Sequence, residues 1–415
     1  MNLRIILTAL LTCALISSAT EPSMTIPVLQ IATADGTPVD QKETYIDATA
    51  WIDVSASGKY EPLGSEAEPV SLGIRGRGNA SWTNNVKKPY KLKFQKKSEP
   101  LGLSCSKHFA LLHYPGGNAA WFREPLGFEL GRQIGLAWTP SQRAVEVVLN
   151  GEYLGLYYLT ESIKVEPLRV NVTKQSDLSN VDVERGWLVE IDNYADEYQT
   201  VFTMPDGFKL RLTHKSPEVL SEAQQTYVDE NFGSMIDAVY DVESDAWKDY
   251  IDLESCARYY IVQEIMHNYD AFNGSYFLHK EDGTQWTFGP LWDLGYSLNK
   301  VKSTPILDDL PATNLPKLMP QLLRFAEFKE VVREEWRKFY AQGTAWLDAA
   351  AAEMGAEVHE AGKRDAERWE TASDNLSSGA RSSANLMKRN IEWLDGYFAS
   401  DEFTAAVSEV RSGVS

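Results

Sequence analysis

Up to Ser216 the apolar residues of this chain mostly alternate with polar ones, and beyond it they recur every three or four positions. Alternation lays apolar side chains along one face of a strand, whereas the longer period makes one face of a helix. The first half therefore reads as strands joined by Gly, Pro and Asp turns: Pro27 to Ile31, Ala50 to Val54, Ser71 to Arg75 and Tyr90 to Phe94. In the last of these Tyr90, Leu92 and Phe94 share one face while Lys91 and Lys93 share the other. Val145 to Leu149 and Tyr153 to Leu159 flank Asn150-Gly151, the favoured two-residue hairpin turn, and Trp187 to Ile191 gives one more strand. A single helix interrupts them, Ala119 to Ile134, with Gly135 placed to end it. Helical spacing then covers Pro217 to Val239, Leu253 to Met266 and nearly all of Leu315 to Phe398. The expected class is α+β, with a β-rich N-terminal part containing a mixed sheet and a helical C-terminal portion.

Export is expected from the first residues. Arg4 precedes the apolar run Ile5 to Ile16, and Ser17-Ser18-Ala19 has the small-residue pattern of a cleavage site, which predicts a signal peptide over 1–19 and a secreted or extracytoplasmic product in the periplasm or cell envelope. No later segment offers eighteen apolar residues in a row, so no transmembrane segment is expected. With Cys13 lost in the signal, Cys105 and Cys256 read as buried free thiols, a single bridge being the alternative. A formal net charge of -19 excludes nucleic acid or an anionic membrane as partner of the whole surface. Against that background Arg75 to Lys97 holds eight basic residues and no Asp or Glu, which marks a concentrated anion site or a solvated strand edge. Oligomeric state leaves no signal.

The richest region runs from His267 to Asn299. A helix ending near His267 delivers Asn268-Tyr269-Asp270 into a loop. Ser275 to His279 is a strand, Glu281 to Thr284 a turn, Gln285 to Phe288 the returning strand, and Gly289-Pro290 breaks it before Leu291-Trp292-Asp293. A hairpin puts its two open ends together, which predicts that Asp270 and Asp293 are neighbours. Paired carboxylates suit phosphoryl transfer from a nucleotide: Asp270 to accept a proton from, or orient, the attacking hydroxyl, and Asp293 to hold a metal. Hard oxygen ligands favour Mg²⁺ or Mn²⁺, with Asn268, Asn273 or Ser275 as further candidate ligands, and the six His show no metal-ligand spacing. Gly73, Gly76 and Gly78 let backbone amides approach phosphates, while Arg75, Arg77, Lys91 and Lys93 supply charge. Glu161 either pairs with one of those lysines or caps a strand end, and Lys87 and Lys88 read as a solvated pair beside Pro89. Taken singly, each of these residues also has an ordinary use in a turn or a helix cap.

Taken together they resemble a known family. Ile74 to Trp82 with Lys87 to Lys93, then Asn150 to Tyr157, Glu161, Glu190-Ile191-Asp192 and Gly289 to Asp293 are similar, in order, to the signatures of the CotH kinase-like family, named for a spore coat protein. The family is described as atypical protein kinases acting on Ser of secreted or coat proteins. The resemblance implies an atypical kinase-like fold, ATP with a divalent metal, Asp270 as catalytic residue and Asp293 as metal ligand. It also implies a protein acceptor, with a glycan as the other possibility. It divides the chain into a β-rich segment (20–70), a catalytic core (71–310) and a helical portion packed on that core (311–415). The chain departs from the family pattern at Asn118, where members often carry Asp, and at Ser275, where some carry Asn. Two competing readings are a catalytically silent surface or adhesion relative, and a glycoside hydrolase using the same two carboxylates. The hydrolase would have no use for the basic segment.

Overall fold

The computed structural model describes residues 25–175, 182–193, 199–309 and 318–405; the expected signal peptide lies outside them. The N-terminal part comprises β1 (Val28–Thr33), β2 (Ile46–Asp53), β3 (Val70–Gly76), a short α1 (Ala80–Thr83), β4 (Tyr90–Ser98), β5 (Ser106–Leu112), α2 (Ala120–Gln133), β6 (Gln142–Leu149) and β7 (Glu152–Glu161). The seven strands close into a barrel in the order β1-β2-β3-β4-β5-β7-β6. Its pairs are antiparallel except β1 with β6, which makes the sheet mixed. Alternate residues fill the interior, among them Ile74, Leu92, Phe94, Phe109, Val147 and Tyr157. Both turn residues of the β6–β7 hairpin take positive φ (Asn150 53°, Gly151 80°), as its twist requires. The Asn150 Oδ1 also accepts the Thr33 N–H at 2.8 Å and so ties the hairpin to the end of β1.

A second sheet is built from β8 (Trp187–Ile191), β9 (Thr200–Thr203), β10 (Lys209–Ser216), β11 (Tyr276–Lys280) and β12 (Thr287–Phe288), with α3 (Glu222–Tyr240) and α4 (Leu253–Met266) between β10 and β11 in sequence. Its order is β12-β11-β8-β10-β9, antiparallel throughout. Trp187, Val189 and Ile191 face the helices together with Leu212, Tyr276 and Leu278. The opposite face of β8 therefore presents Leu188 and Glu190, and continues into Asp192. The register of β10 against β8 slips between His214 and Ser216, which leaves Lys215 unpaired in the ladder. Such bulges re-aim side chains.

The helices that follow among the described residues are α5 (Ile306–Asp309), α6 (Leu318–Leu322), α7 (Ala326–Tyr340), α8 (Ala345–Glu357), α9 (His359–Trp369), α10 (Leu376–Ala399) and α11 (Asp401–Ala405). They share one continuous apolar cluster with α2, α3, α4 and the second sheet. The class is thus α+β, β-rich first and helical last. Helix α9 covers the outside of β7, and this overturns the reading of Lys87 as solvated. Its Nζ is buried in an ion pair with Asp365, which also accepts the Leu156 N–H at 2.8 Å. At Gly155 (φ 87°) a Cβ would lie 2.1 Å from the Asp365 Oδ1, so only glycine lets the strand pass that carboxylate. The Lys88 Nζ donates to the Trp82 and Asn85 carbonyls at 2.6 and 2.5 Å. Cys105 and Cys256 are both free thiols, the first half-buried and the second buried. Among the described residues no helix is long and apolar enough to cross a membrane.

Candidate active site

The outer face of the barrel and the open face of the second sheet border a cleft of about 380 Å³. Alternation along β3 and β4 puts Ile74 and Leu92 inside the barrel and Arg75 and Lys91 outside, where both line this cleft with Arg77, Lys164, Lys215 and Glu190. Arg75 and Lys91 are direct partners across the β3–β4 ladder. Like charges placed opposite one another destabilise a sheet. Lys164 is offset by Glu218 at 3.0 Å and Lys215 by Glu190 at 2.5 Å. Lys91 has no such relief among the described residues. Burial pushes its ammonium down to about 8, helped by Lys164, Arg75, Arg77 and Lys215. A bound polyanion would offset this repulsion and favour the charged ammonium.

The other predicted cations divide. Arg77 lines the cleft with its guanidinium 5.4 Å from the Trp292 ring centroid. Lys93 shares a face with Lys91 but lies two residues further along the strand, exposed and 5.8 Å from the Tyr45 ring, outside the cleft lining. Among the described residues Glu161 pairs with no lysine: its two oxygens accept the Ser104 and Ser141 N–H groups at 2.7 and 2.9 Å. Of its two sequence readings, the backbone cap is the one that the geometry supports.

Asp270 stands in the loop after α4, which ends at His267 in the left-handed region (φ 47°). The loop is braced by Asn268, whose Oδ1 accepts the Asp270 N–H at 3.2 Å while its Nδ2 donates to Gln263 at 3.0 Å. Asp293 also has positive φ (57°) and is exposed to solvent. Crowding by surrounding protein raises its carboxyl above the ordinary range; Arg77 opposes this, and Asp270 and Asp192 add to it. The hairpin β11–β12 thus brings Asp270 into electrostatic contact with Asp293, and the end of β8 adds Asp192.

Two further carboxyls border this group. Glu190 is raised by burial, is offset by Lys215, and feels Asp192 and Asp293. Glu124, buried on α2, is pushed up to about 8 by burial and then by Asp293, against the pull of Arg77. Its Oε2 accepts the N–H of Leu294, the residue after Asp293, at 3.2 Å. Among the described residues no set of three His, Cys, Asp or Glu stands ready to hold a metal. Asp293 with one neighbouring carboxylate nonetheless suits Mg²⁺ or Mn²⁺, since these ions take one or two protein carboxylates and complete their shell with phosphate oxygens and water.

Asn273 is committed elsewhere, because its Oδ1 and its carbonyl both accept from Asn193, at 2.9 Å each. It staples the Asp270 loop to the residue after Asp192. Ser275 immediately precedes β11, half-buried with φ 50°. Asn118, where family members often carry Asp, accepts the Asn375 N–H at 2.9 Å and thereby docks the start of α10.

Sequence reasoning left Asp192, Glu190, Lys215, Lys164 and Glu124 out of the site. Glu190 and Asp192 carried a usable signal, being two carboxylates two positions apart at the end of an apolar strand, hence on one face. Lys215 belongs to a strand with strict alternation, Leu210, Leu212, His214 and Ser216 buried, that was not recognised. Glu124 gave no signal: it lies on a helix buried on nearly every side.

The family model described as "CotH kinase protein" matches residues 74–407. No curated protein sequence matches. Among solved structures, the Helicobacter pylori proinflammatory kinase CtkA is similar over 79% of this chain and 95% of that one, at 9% identity and a TM-score of 0.33. A likeness that distant carries no argument about the site.

Proposed function

Because this chain belongs to the CotH kinase family, we propose that it transfers the γ-phosphate of ATP to Ser or Thr hydroxyls of extracytoplasmic proteins, in a reaction that needs Mg²⁺ or Mn²⁺. The observation that carries the reading is a cationic cleft with a carboxylate group beside it. Arg75, Arg77 and Lys91 line the cleft together with Trp292, and Asp293, the next residue, has Arg77, Asp270 and Asp192 in electrostatic reach. Phosphoryl transfer needs this division, cations for the transferred charge and carboxylates for metal and hydroxyl.

In this reading Arg75, Lys91 and Lys164 bind the phosphates. Arg77 is felt by both groups, adding to the repulsion on Lys91 and stabilising the charge of Asp293. A divalent ion, held by Asp293 with Asp192 beside it, would supply the positive charge that screens the phosphate oxygens from the attacking group. Asp270 orients the acceptor hydroxyl and takes its proton. Export, expected from the first residues, is what would give such an enzyme extracytoplasmic acceptors.

The test is to titrate the purified protein with ATP and Mg²⁺ or Mn²⁺, follow its melting temperature, and measure phosphate transfer with and without Asp293→Ala. The expected result is metal-dependent stabilisation in the parent and its loss, with transfer, in the variant. Absence of metal-dependent nucleotide binding in the parent would sink the reading. Binding without transfer to any acceptor would favour the silent surface relative.

A further inference from the structure

Behind the Asp270 loop runs a chain of buried charge that the chemistry above does not use. Glu264 and Lys302 form an ion pair with both side chains wholly buried. Glu264 also accepts the Tyr260 hydroxyl at 2.7 Å and the Ile306 N–H at 3.0 Å. The Lys302 Nζ lies 3.2 Å from the Nδ1 of His267. An ammonium can only donate, so His267 accepts at Nδ1 and carries its proton on Nε2. That nitrogen faces the Asp309 Oδ2 at 2.8 Å, although off the line of a good hydrogen bond. Lys300 ends the chain, 2.9 Å from the same oxygen. Burial first, and then Lys302, pushes His267 down to about 4, so the ring sits between two charged neighbours as a neutral link.

The positions of these residues matter more than their charges. Glu264 and His267 close α4 immediately ahead of Asp270, whereas Lys302 and Asp309 lie in the segment that follows Asp293. Among the described residues no strand pairing joins the two segments. Their connections include this chain, the Leu298 N–H to the Met266 carbonyl at 2.8 Å, the edge contact of Tyr269 with Tyr296 at 6.5 Å, and Asn390 of α10. Asn390 accepts the Lys302 N–H at 2.9 Å and donates to the Ile265 carbonyl at 2.8 Å.

A wholly buried ion pair is poor value for stability alone, since apolar replacements of similar volume are often neutral or better. Holding a geometry is the use that remains. We propose that Lys302 is a positioning residue: through Glu264 and His267 it clamps the segment after Asp293 to the segment before Asp270 and so sets the separation of the two carboxylates. The proposal rests on the kinase reading only for its consequence in metal and nucleotide binding. The clamp itself is a statement about the fold.

The test uses the full chain with Glu264→Gln and Lys302→Met together, so that no unpaired charge is left buried, and Lys87→Met with Asp365→Asn as a control pair remote from the loops. Both pairs are assayed for Mn²⁺ affinity in the presence of ATP, per folded protein, and for amide hydrogen exchange over 268–275 and 293–299. The first pair is expected to lose roughly tenfold in Mn²⁺ affinity, the low end of what loss of a direct hydrogen-bond partner of a metal ligand costs, and to exchange faster in both loops. The control pair is expected to lose stability without either change. Parental affinity and parental exchange in a folded first pair would overturn the proposal. Should the parent itself fail to bind Mn²⁺ and ATP, the kinase reading falls and the exchange measurement alone decides the clamp. Lys302→Arg, which keeps the charge but alters its reach, gives the same two readouts should the double variant not fold.

Discussion

Replacing Lys91 by methionine should make this protein more stable and less able to bind nucleotide. The ammonium is pushed from 10.5 to about 8, first by burial and then by four neighbouring cations. A shift of that size corresponds to roughly 3 kcal/mol of penalty on the charged form, and partial exposure to solvent reduces it to about 2 kcal/mol of folded-state cost at neutral pH. Methionine keeps the stem and removes the charge, so the variant recovers most of that cost. The sign has a pH signature. A lysine whose folded pKa lies below its unfolded value carries the full penalty below pH 8, and the penalty fades between pH 8 and 10.5 as the folded form sheds its proton ahead of the unfolded one. The stability gap between Lys91→Met and parent should therefore be widest at pH 7 and close towards pH 10. Denaturant titration at both pH values measures it, and calorimetric ATP titration supplies the other half, in which the variant binds more weakly. A variant that is less stable at pH 7, or that binds ATP as tightly as the parent, would refute the idea that Lys91 is held charged for a polyanion.

Two other substitutions probe different parts of the frame. Glu124 is held protonated at neutral pH by burial and by Asp293, so Glu124→Gln at pH 7 should melt within a few degrees of the parent. Glu124→Ala leaves the Leu294 N–H without its acceptor and should cost about 1–3 kcal/mol; equal damage from both would remove the hydrogen bond from the explanation. Lys87→Met strands the Asp365 carboxylate in the interior and should cost about 3–5 kcal/mol, with Lys87→Met/Asp365→Asn recovering much of it. Parental denaturant stability for the single Lys87 variant would show the pair to be dispensable.

How far the site could be read in advance depended on how local its determinants are. Alternation in Tyr90-Lys91-Leu92-Lys93-Phe94 separates the barrel interior from the exterior correctly, and strand pairing then delivers Lys91 to the cleft. It could not separate Lys91 from Lys93, because both project from one face and only the course of the strand past the cleft edge tells them apart. The 270–293 hairpin was legible because the turn, the apolar strand and the Gly-Pro break are adjacent in sequence. Lys87 was misread for the opposite reason: its partner is Asp365, 278 residues away, and nothing near Pro89 hints at a helix arriving from there. Lys215 was missed since three of the four outward positions of β10, Lys209, Arg211 and Lys215, are charged, which masks its strand pattern.

The Lys87–Asp365 contact ties an early part of the chain to a late one. Every barrel strand is complete by Glu161, yet the outer wall of β7 is finished only when Asp365 arrives to neutralise Lys87. Closing so long a stretch of polypeptide is slow compared with local hairpin formation. Until it happens the emerging barrel carries an ammonium at a site with no counter-charge, and a product that stops short of α9 would carry it permanently. Helix α9 lies within the matched stretch 74–407 although far beyond Asp293, and trimming the protein at the 270–293 hairpin would remove the cover of the barrel's own wall.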